Sequence, residues 1–167
     1  MGLDITAYSR LKHIGRHTED WCEDYENHVM AFAYDDFPLS FRGIPVLGTT
    51  QHGAVTFLDA GCFEITEETE RHAFRAGSYS GYNRWRADLQ RQFNHATEPD
   101  RPFYELIWFA DNEGSIGPDA AKDLLADFRE HAAAYDPGEY ADYFREKYQD
   151  WTRACELAAD SGLIRFH

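Results

Sequence analysis

Residues 75–86 concentrate the side chains best suited to hold a small anion. The run reads RAGSYSGYNRWR. Guanidinium groups make forked, charge-assisted hydrogen bonds to phosphate or carboxylate, and glycines let backbone N–H groups come close to a ligand. Aromatic rings add flat surfaces on which a planar base can stack. These residue types at this spacing predict a site for a nucleotide-like, phosphate-bearing molecule.

Phosphate is expected to lie against the arginines of this run. Arg75, Arg84 and Arg86 supply the guanidinium groups, and the backbone donors at Gly77 and Ser78 assist them. A helix that begins just after the glycines would add unpaired N–H groups and a partial positive charge. Residues two apart on a helix do not share a face, so the second and third arginines cannot both point at one ligand.

The remaining parts of a nucleotide are assigned to tyrosines and to a polar loop. Tyr79 or Tyr82 is expected to stack on the base, and Asp111 or Glu113 to bind sugar hydroxyls. The complete set of predicted ligand-binding residues is Arg75, Gly77, Ser78, Tyr79, Tyr82, Asn83, Arg84, Arg86, Asp111 and Glu113.

A purely structural interpretation of the same run stays open. In it the glycines form a turn, Tyr82 and Trp85 belong to the core, and the arginines pair with the many carboxylates of the chain. No Lys-Ser/Thr follows the glycines as in a P-loop, and the glycine spacing is not the dinucleotide-binding GxGxxG. Hydrolysis of a nucleoside triphosphate is therefore not indicated.

No catalytic residue, metal site or cofactor is predicted. His13 and His17 are separated by Gly15, which disfavours the helix that a pair of ligands four residues apart requires. The other histidines are scattered, and each has the chemistry of a general base near neutral pH. A hydrolase that uses one of them on a phosphodiester, with Asp111 and Glu113 on a metal, stays open as an alternative.

Length and charge limit the class of partner. The 167 residues suit one domain over 1–167, and the net charge of -14 argues against a nucleic-acid partner. The arginines at 71, 75, 84, 86 and 91 form a basic island with Asp88 as its only acid. Three cysteines without a CxxC pair, and the lack of a leader or of a long apolar run, predict a cytoplasmic protein with no membrane contact. A site shared within a homo-oligomer stays open.

Hydrophobic periodicity predicts an α+β fold. Strands are expected over residues 3–8, 72–75 and 163–167, with a hairpin of 54–58 and 62–66. Three main helices are expected in the C-terminal half: from Tyr82 to near His95 with Ser80 as N-cap, from Pro118 to before 136–138, and over 140–158. Residues 103–109 fit a buried strand or a short helix. The architecture predicted is one small, mostly antiparallel sheet packed by these helices.

Four segments resemble uncharacterised proteins of bacteriophages and prophages. They are the MGLDITAY start, the RAGSYSGYNRWR core, the segment from PFYELI to DNEGSIG, and the end from ELAAD to FH. The resemblance spans nearly the whole chain, least over 15–70, and it carries no established activity. The resemblance implies that the protein is located in the cytoplasm of a bacterial host and serves the virus.

The leading expectation is a phage-type protein that sequesters a nucleotide-like molecule, such as an immune signal of the host. The hydrolase is one alternative. An acidic inhibitor that docks on a basic host protein is the other, since the charge of -14 favours it.

Overall fold

A computed structural model describes residues 2–15, 28–31, 50–51, 54–55, 61–98, 100–108 and 114–167. The strands are β1 (Gly2–Tyr8), β2 (Lys12–Gly15), β3 (His28–Ala31), β4 (Thr50–Gln51), β5 (Ala54–Val55), β6 (Gly61–Glu64), β7 (Arg71–Ser78), β8 (Gly114–Ile116) and β9 (Leu163–Phe166). The helices are α1 (Tyr79–Phe93), α2 (Tyr104–Trp108), α3 (Pro118–His131) and α4 (Ala141–Ala159), and a 3-10 turn (Gly138–Tyr140) precedes α4.

The main sheet has four antiparallel strands in the order β7-β1-β9-β8. Its inner face carries alternate apolar residues, such as Leu3 and Ile5 of β1 and Ile164 and Phe166 of β9, all of them buried. The helices pack on this face. Because β9 lies between β1 and β8, the C-terminal strand is in the interior of the sheet.

Trp151 of α4 lies at the centre of the core. Its ring stacks on Tyr82 and Trp85 of α1, with centroids 5.9 and 6.1 Å apart. It also contacts Phe166 of β9 at 5.7 Å and Phe74 of β7 at 5.6 Å. One large indole therefore joins the sheet to α1 and α4 through the aromatic packing that such rings favour.

The α+β prediction is confirmed, as are the three main helices and the strands near 3–8, 72–75 and 163–167. The ambiguous run 103–109 contains the short helix α2. The expected pairing of 54–58 with 62–66 is not found among the described residues, where β5 pairs with β4, and β6 pairs with β2 and β3. None of the described helices has the length and apolar character needed to cross a bilayer.

Candidate functional site

The predicted run begins in a strand that continues directly into a helix. β7 extends to Ser78, whose side-chain oxygen accepts a hydrogen bond from the Gly81 N–H at 3.1 Å and caps α1. The prediction of Ser80 as N-cap is therefore wrong, and its hydroxyl instead lies 3.1 Å from that of Ser78. The cap satisfies one of the free N–H groups at the helix start, which reduces the number available to an anion.

Gly77 is required by the packing of α4 against β7. Its φ of 120° lies in the region that favours glycine, and an added Cβ would lie 2.1 Å from the Tyr143 hydroxyl. That hydroxyl donates to the Ala76 carbonyl at 2.9 Å. Lys147, almost fully buried, donates to the Arg75 carbonyl at 2.8 Å. Side chains of α4 thus occupy the space beside the glycine where a ligand was expected.

The side chain of Arg75 lies on the other face of the sheet. Its guanidinium group is 3.5 Å from the Asp4 carboxylate and covers Gly2. With 62% of the side chain exposed, the ion pair is a surface pair of small energetic weight. Arg75 is therefore separated from the later arginines by the sheet.

Two residues of the run, Tyr82 and Arg86, face the interior or α2. Tyr82 is fully buried against Trp151. Arg86 donates to the Ile107 carbonyl of α2 and, at 3.1 Å, to the Asn83 side-chain oxygen. The Arg86 guanidinium also lies 5.3 Å from the Tyr82 ring centroid. These contacts tie α1 to α2 and to the core.

Arg84 points outward toward the turn before α4. Its Nη1 donates to the Tyr140 hydroxyl at 3.1 Å, and its Cζ lies 5.2 Å from the centre of that ring. Tyr79, the other predicted stacking residue, is 42% exposed at the start of α1. Asp111 and Glu113 lie outside the described residues. The described part of the predicted set is thus distributed over the sheet, the core and the outer side of α1.

A groove of about 440 Å³ lies between α1 and the 3-10 turn, beside Arg84. Aromatic, apolar and charged groups all contribute to its walls. The lining residues are Arg84, Ala87, Asp88, Arg91, Pro137, Gly138, Glu139, Tyr140 and Phe144.

Two reciprocal hydrogen bonds hold the far wall of this groove in place. The side chain of Gln92 donates to the Asp136 carbonyl at 2.8 Å and accepts from the Asp136 N–H at 3.0 Å. The Asp136 side chain accepts from the Gly138 N–H at 3.0 Å, which closes a local turn. The groove is therefore built by contacts between residues 44 apart in sequence.

The cationic groups of the groove differ in how far they are neutralised. Arg91 forms an ion pair with Asp88 at 2.6 Å. Among the described residues, Arg84 has no carboxylate partner and makes only its contacts with Tyr140. An arginine held on an aromatic ring keeps guanidinium donors for an incoming anion.

A second cavity, of about 470 Å³, lies between α2 and α3 and is strongly acidic. Its lining residues are Asp100, Arg101, Pro102, Glu105, Asp123, Asp127, Glu130 and His131. Asp127 accepts a hydrogen bond at 2.7 Å from the N–H of Phe103, a buried residue with φ of 60°. This carboxylate therefore supports the left-handed backbone that leads into α2.

Burial and neighbouring charges raise the pKa of Asp127 to about 7. The charges that add to the effect of burial are those of Glu105, Asp123 and Glu130, and the Phe103 hydrogen bond opposes it. Burial and the charge of Asp119 likewise raise the pKa of Asp123. Among the described residues, no group of three or more His, Cys, Asp or Glu side chains is arranged to hold a metal ion.

Sequence reasoning missed the aromatic wall of the groove and the acidic cavity. Tyr140 and Phe144 lie on the predicted apolar stripe of the last helix, and only Phe144 is buried. Arg91 belongs to the basic island, which was the one available signal for this place. Asp127 carries no sequence signal, since its environment depends on α2 folding over α3.

The chain was compared with protein-family models, curated proteins and solved structures, and nothing matches it.

Proposed function

We propose that the protein binds a small, phosphate-bearing, nucleotide-like ligand in the groove between α1 and the 3-10 turn. The observation that carries the proposal is the position of Arg84 on the wall of a 440 Å³ groove, stacked on an exposed tyrosine and without a carboxylate partner in the described part of the chain. Ligand pockets of small molecules commonly have about 300–1,000 Å³.

The chemistry of the walls suits the two halves of such a ligand. Arg84 offers forked donors to a phosphate. Arg91 lies further along the same helix and is already paired with Asp88. Tyr140, 46% exposed, and Phe144, 5.3 Å from it between ring centroids, offer an aromatic surface to a base. The net charge of -14 repels long polyanions and is tolerated by a ligand with one or two phosphates.

The biological role follows from the expected phage setting and is part of the proposal. In the cytoplasm of an infected bacterium, the protein would hold a nucleotide signal of host immunity and lower its free concentration. Sequestration requires binding without turnover, and the donors and rings of the groove support the binding part of this proposal.

The test is calorimetry and thermal shift with cyclic nucleotides and ADP-ribose-type ligands. We expect heat of binding and a higher Tm with at least one of them. Arg84→Gln should weaken binding by about tenfold or more and reduce both signals. Arg101→Gln, which changes an exposed arginine at the acidic cavity, should keep them. No heat and no thermal shift across the panel would refute the proposal. Ligand recovered intact after denaturation means sequestration, and altered ligand means the hydrolase alternative.

A further inference from the structure

The outer face of the main sheet carries a second group of cationic side chains, on the opposite side from the groove. In antiparallel strands, residues directly opposite each other place their side chains on the same face. Thr6 of β1 is opposite Ala73 of β7 on one side and Arg165 of β9 on the other. These three residues form one row across the sheet, with strands about 4.8 Å apart.

The rows above and below bring further charges to the same face. Asp4 and His167 exchange backbone hydrogen bonds of 3.0 and 2.9 Å, which makes them an opposed pair. Arg71 is opposite Tyr8, two residues along β1 from Thr6. Thr6, a residue that is only 3% exposed, therefore shares its face of the sheet with Arg71, Arg165 and His167.

One contact on this face joins two of these side chains. The Thr6 hydroxyl and the His167 Nε2 are 2.9 Å apart. Burial, together with the charges of Arg165 and Arg71, lowers the pKa of His167, and only Asp4 opposes this effect. The imidazole thus lies within the field of both guanidinium groups, and a negative charge at this place is favoured.

The arginines of this face lack counter-ions of their own. In the described ranges of the chain, the side chains of Arg71 and Arg165 form no ion pair and no hydrogen bond. The chain holds 30 acidic against 16 basic side chains, so unpaired arginines are a departure from its charge balance. Two guanidinium groups near a hydroxyl and an imidazole provide the donors that an oxyanion requires.

We propose that Thr6, Arg71, Arg165 and His167 form a binding site for a tetrahedral oxyanion, a phosphate or a sulfate group. The arginines bind two edges of the anion, and the imidazole donates to it when protonated. The site is independent of the groove, because the sheet separates it from α1.

The test follows the imidazole of His167 by NMR across pH, with inorganic phosphate and then sulfate added at constant ionic strength. We expect either anion to raise the pKa of His167 by about 1 unit, because its negative charge favours the imidazolium form. Sulfate does not titrate near neutral pH and so separates the protonation of His167 from that of phosphate. His167→Gln identifies the resonance.

Variants decide whether the arginines hold the anion. Arg165→Gln and Arg71→Gln should each weaken phosphate binding by about tenfold or more. Arg145→Gln, an exposed arginine of α4, should leave binding and the His167 titration as in the wild type. Since Arg71 is exposed on an edge strand, its variant remains informative if Arg165→Gln does not fold.

An unchanged His167 titration in both anions would overturn the proposal. An equal response of the wild type and both arginine variants would also overturn it, because the anion would then bind elsewhere. A further titration with methyl phosphate compares a phosphate carried by an organic group with the free ion. A rise in the pKa of His167 with either of them supports the site.

Discussion

The two cavities are nearly equal in volume, about 440 and 470 Å³, and differ in charge: the groove is lined by two arginines and two carboxylates, whereas carboxylates predominate in the other cavity. In the groove beside α1, Arg84 rests on an aromatic ring and has no carboxylate partner in the described part of the chain. In the cavity between α2 and α3, carboxylates crowd together and Asp127 bonds to the backbone of Phe103.

A cavity of this volume is therefore not by itself evidence of a ligand site, and the groups that line it must also be considered. The acidic cavity uses its central carboxylate to support the fold, and like charges there oppose one another. The groove leaves its central cation available. The groove therefore remains the proposed place of ligand binding, and a pH-dependent structural role is proposed for the acidic cavity. The predictions below test that division.

The largest effect is expected for Asp127→Asn. The native pKa of about 7 exceeds the ordinary value of 3.8, so the contribution of Asp127 to stability is fully present below about pH 4 and is lost as pH rises through 7. Asparagine keeps an oxygen for the Phe103 N–H and carries no charge. The variant should match the wild type near about pH 4 and exceed it at about pH 8 by up to about 4 kcal/mol. Urea unfolding across pH measures this.

The control for that experiment is Asp100→Asn, which removes a charge from an exposed position of the same cavity. It separates the loss of a buried carboxylate from the loss of one negative charge in general. An Asp127→Asn protein whose stability follows pH as the wild type does would contradict the role assigned to the acidic cavity.

The sequence predicted the helices better than the groove. The helices follow from residues three or four positions apart, whereas the groove is formed by residues far apart in the sequence. Tyr82, Trp85 and Leu89 recur at helical spacing, and all three are buried in α1 as that stripe requires. The divergence of Arg84 and Arg86 also follows from their two-residue separation and is confirmed. Such features are local.

The groove depends on contacts that no local pattern encodes. Its wall is held by Gln92 and Asp136, which are 44 positions apart. The prediction of Ser80 as the N-cap was wrong because Ser78 and Ser80 both have side chains that can cap a helix, and the local sequence does not choose between them. Sequence reasoning therefore found the basic island and could not divide it between the groove, the core and the sheet.

The next effect in size concerns the cation of the groove. Arg84→Gln should weaken binding of a nucleoside monophosphate by about tenfold or more, since a charge-assisted contact contributes about 1.5–3 kcal/mol. The free energy of unfolding should change little, because the side chain is exposed. Calorimetry and urea unfolding check the two parts. If this variant bound the ligand as tightly as the wild type, the proposal that the ligand binds in the groove would lose its basis.

A smaller effect is expected for the aromatic wall. Tyr140→Leu should lower the affinity for the same ligand by about fivefold, because base stacking and the orientation of Arg84 are both lost. Tyr79→Leu is the matched control, since Tyr79 is 42% exposed and Tyr140 is 46% exposed. Equal losses in both variants would show that the 3-10 turn has no special part in binding.

The most direct measurement is a ¹H–¹⁵N NMR titration of the wild-type protein with adenosine monophosphate. We expect the chemical-shift changes to centre on Arg84, Arg91 and residues 138–140, with the α2–α3 cavity unaffected. Changes centred on the acidic cavity, or none at saturating ligand, would contradict the assignment of ligand binding to the groove.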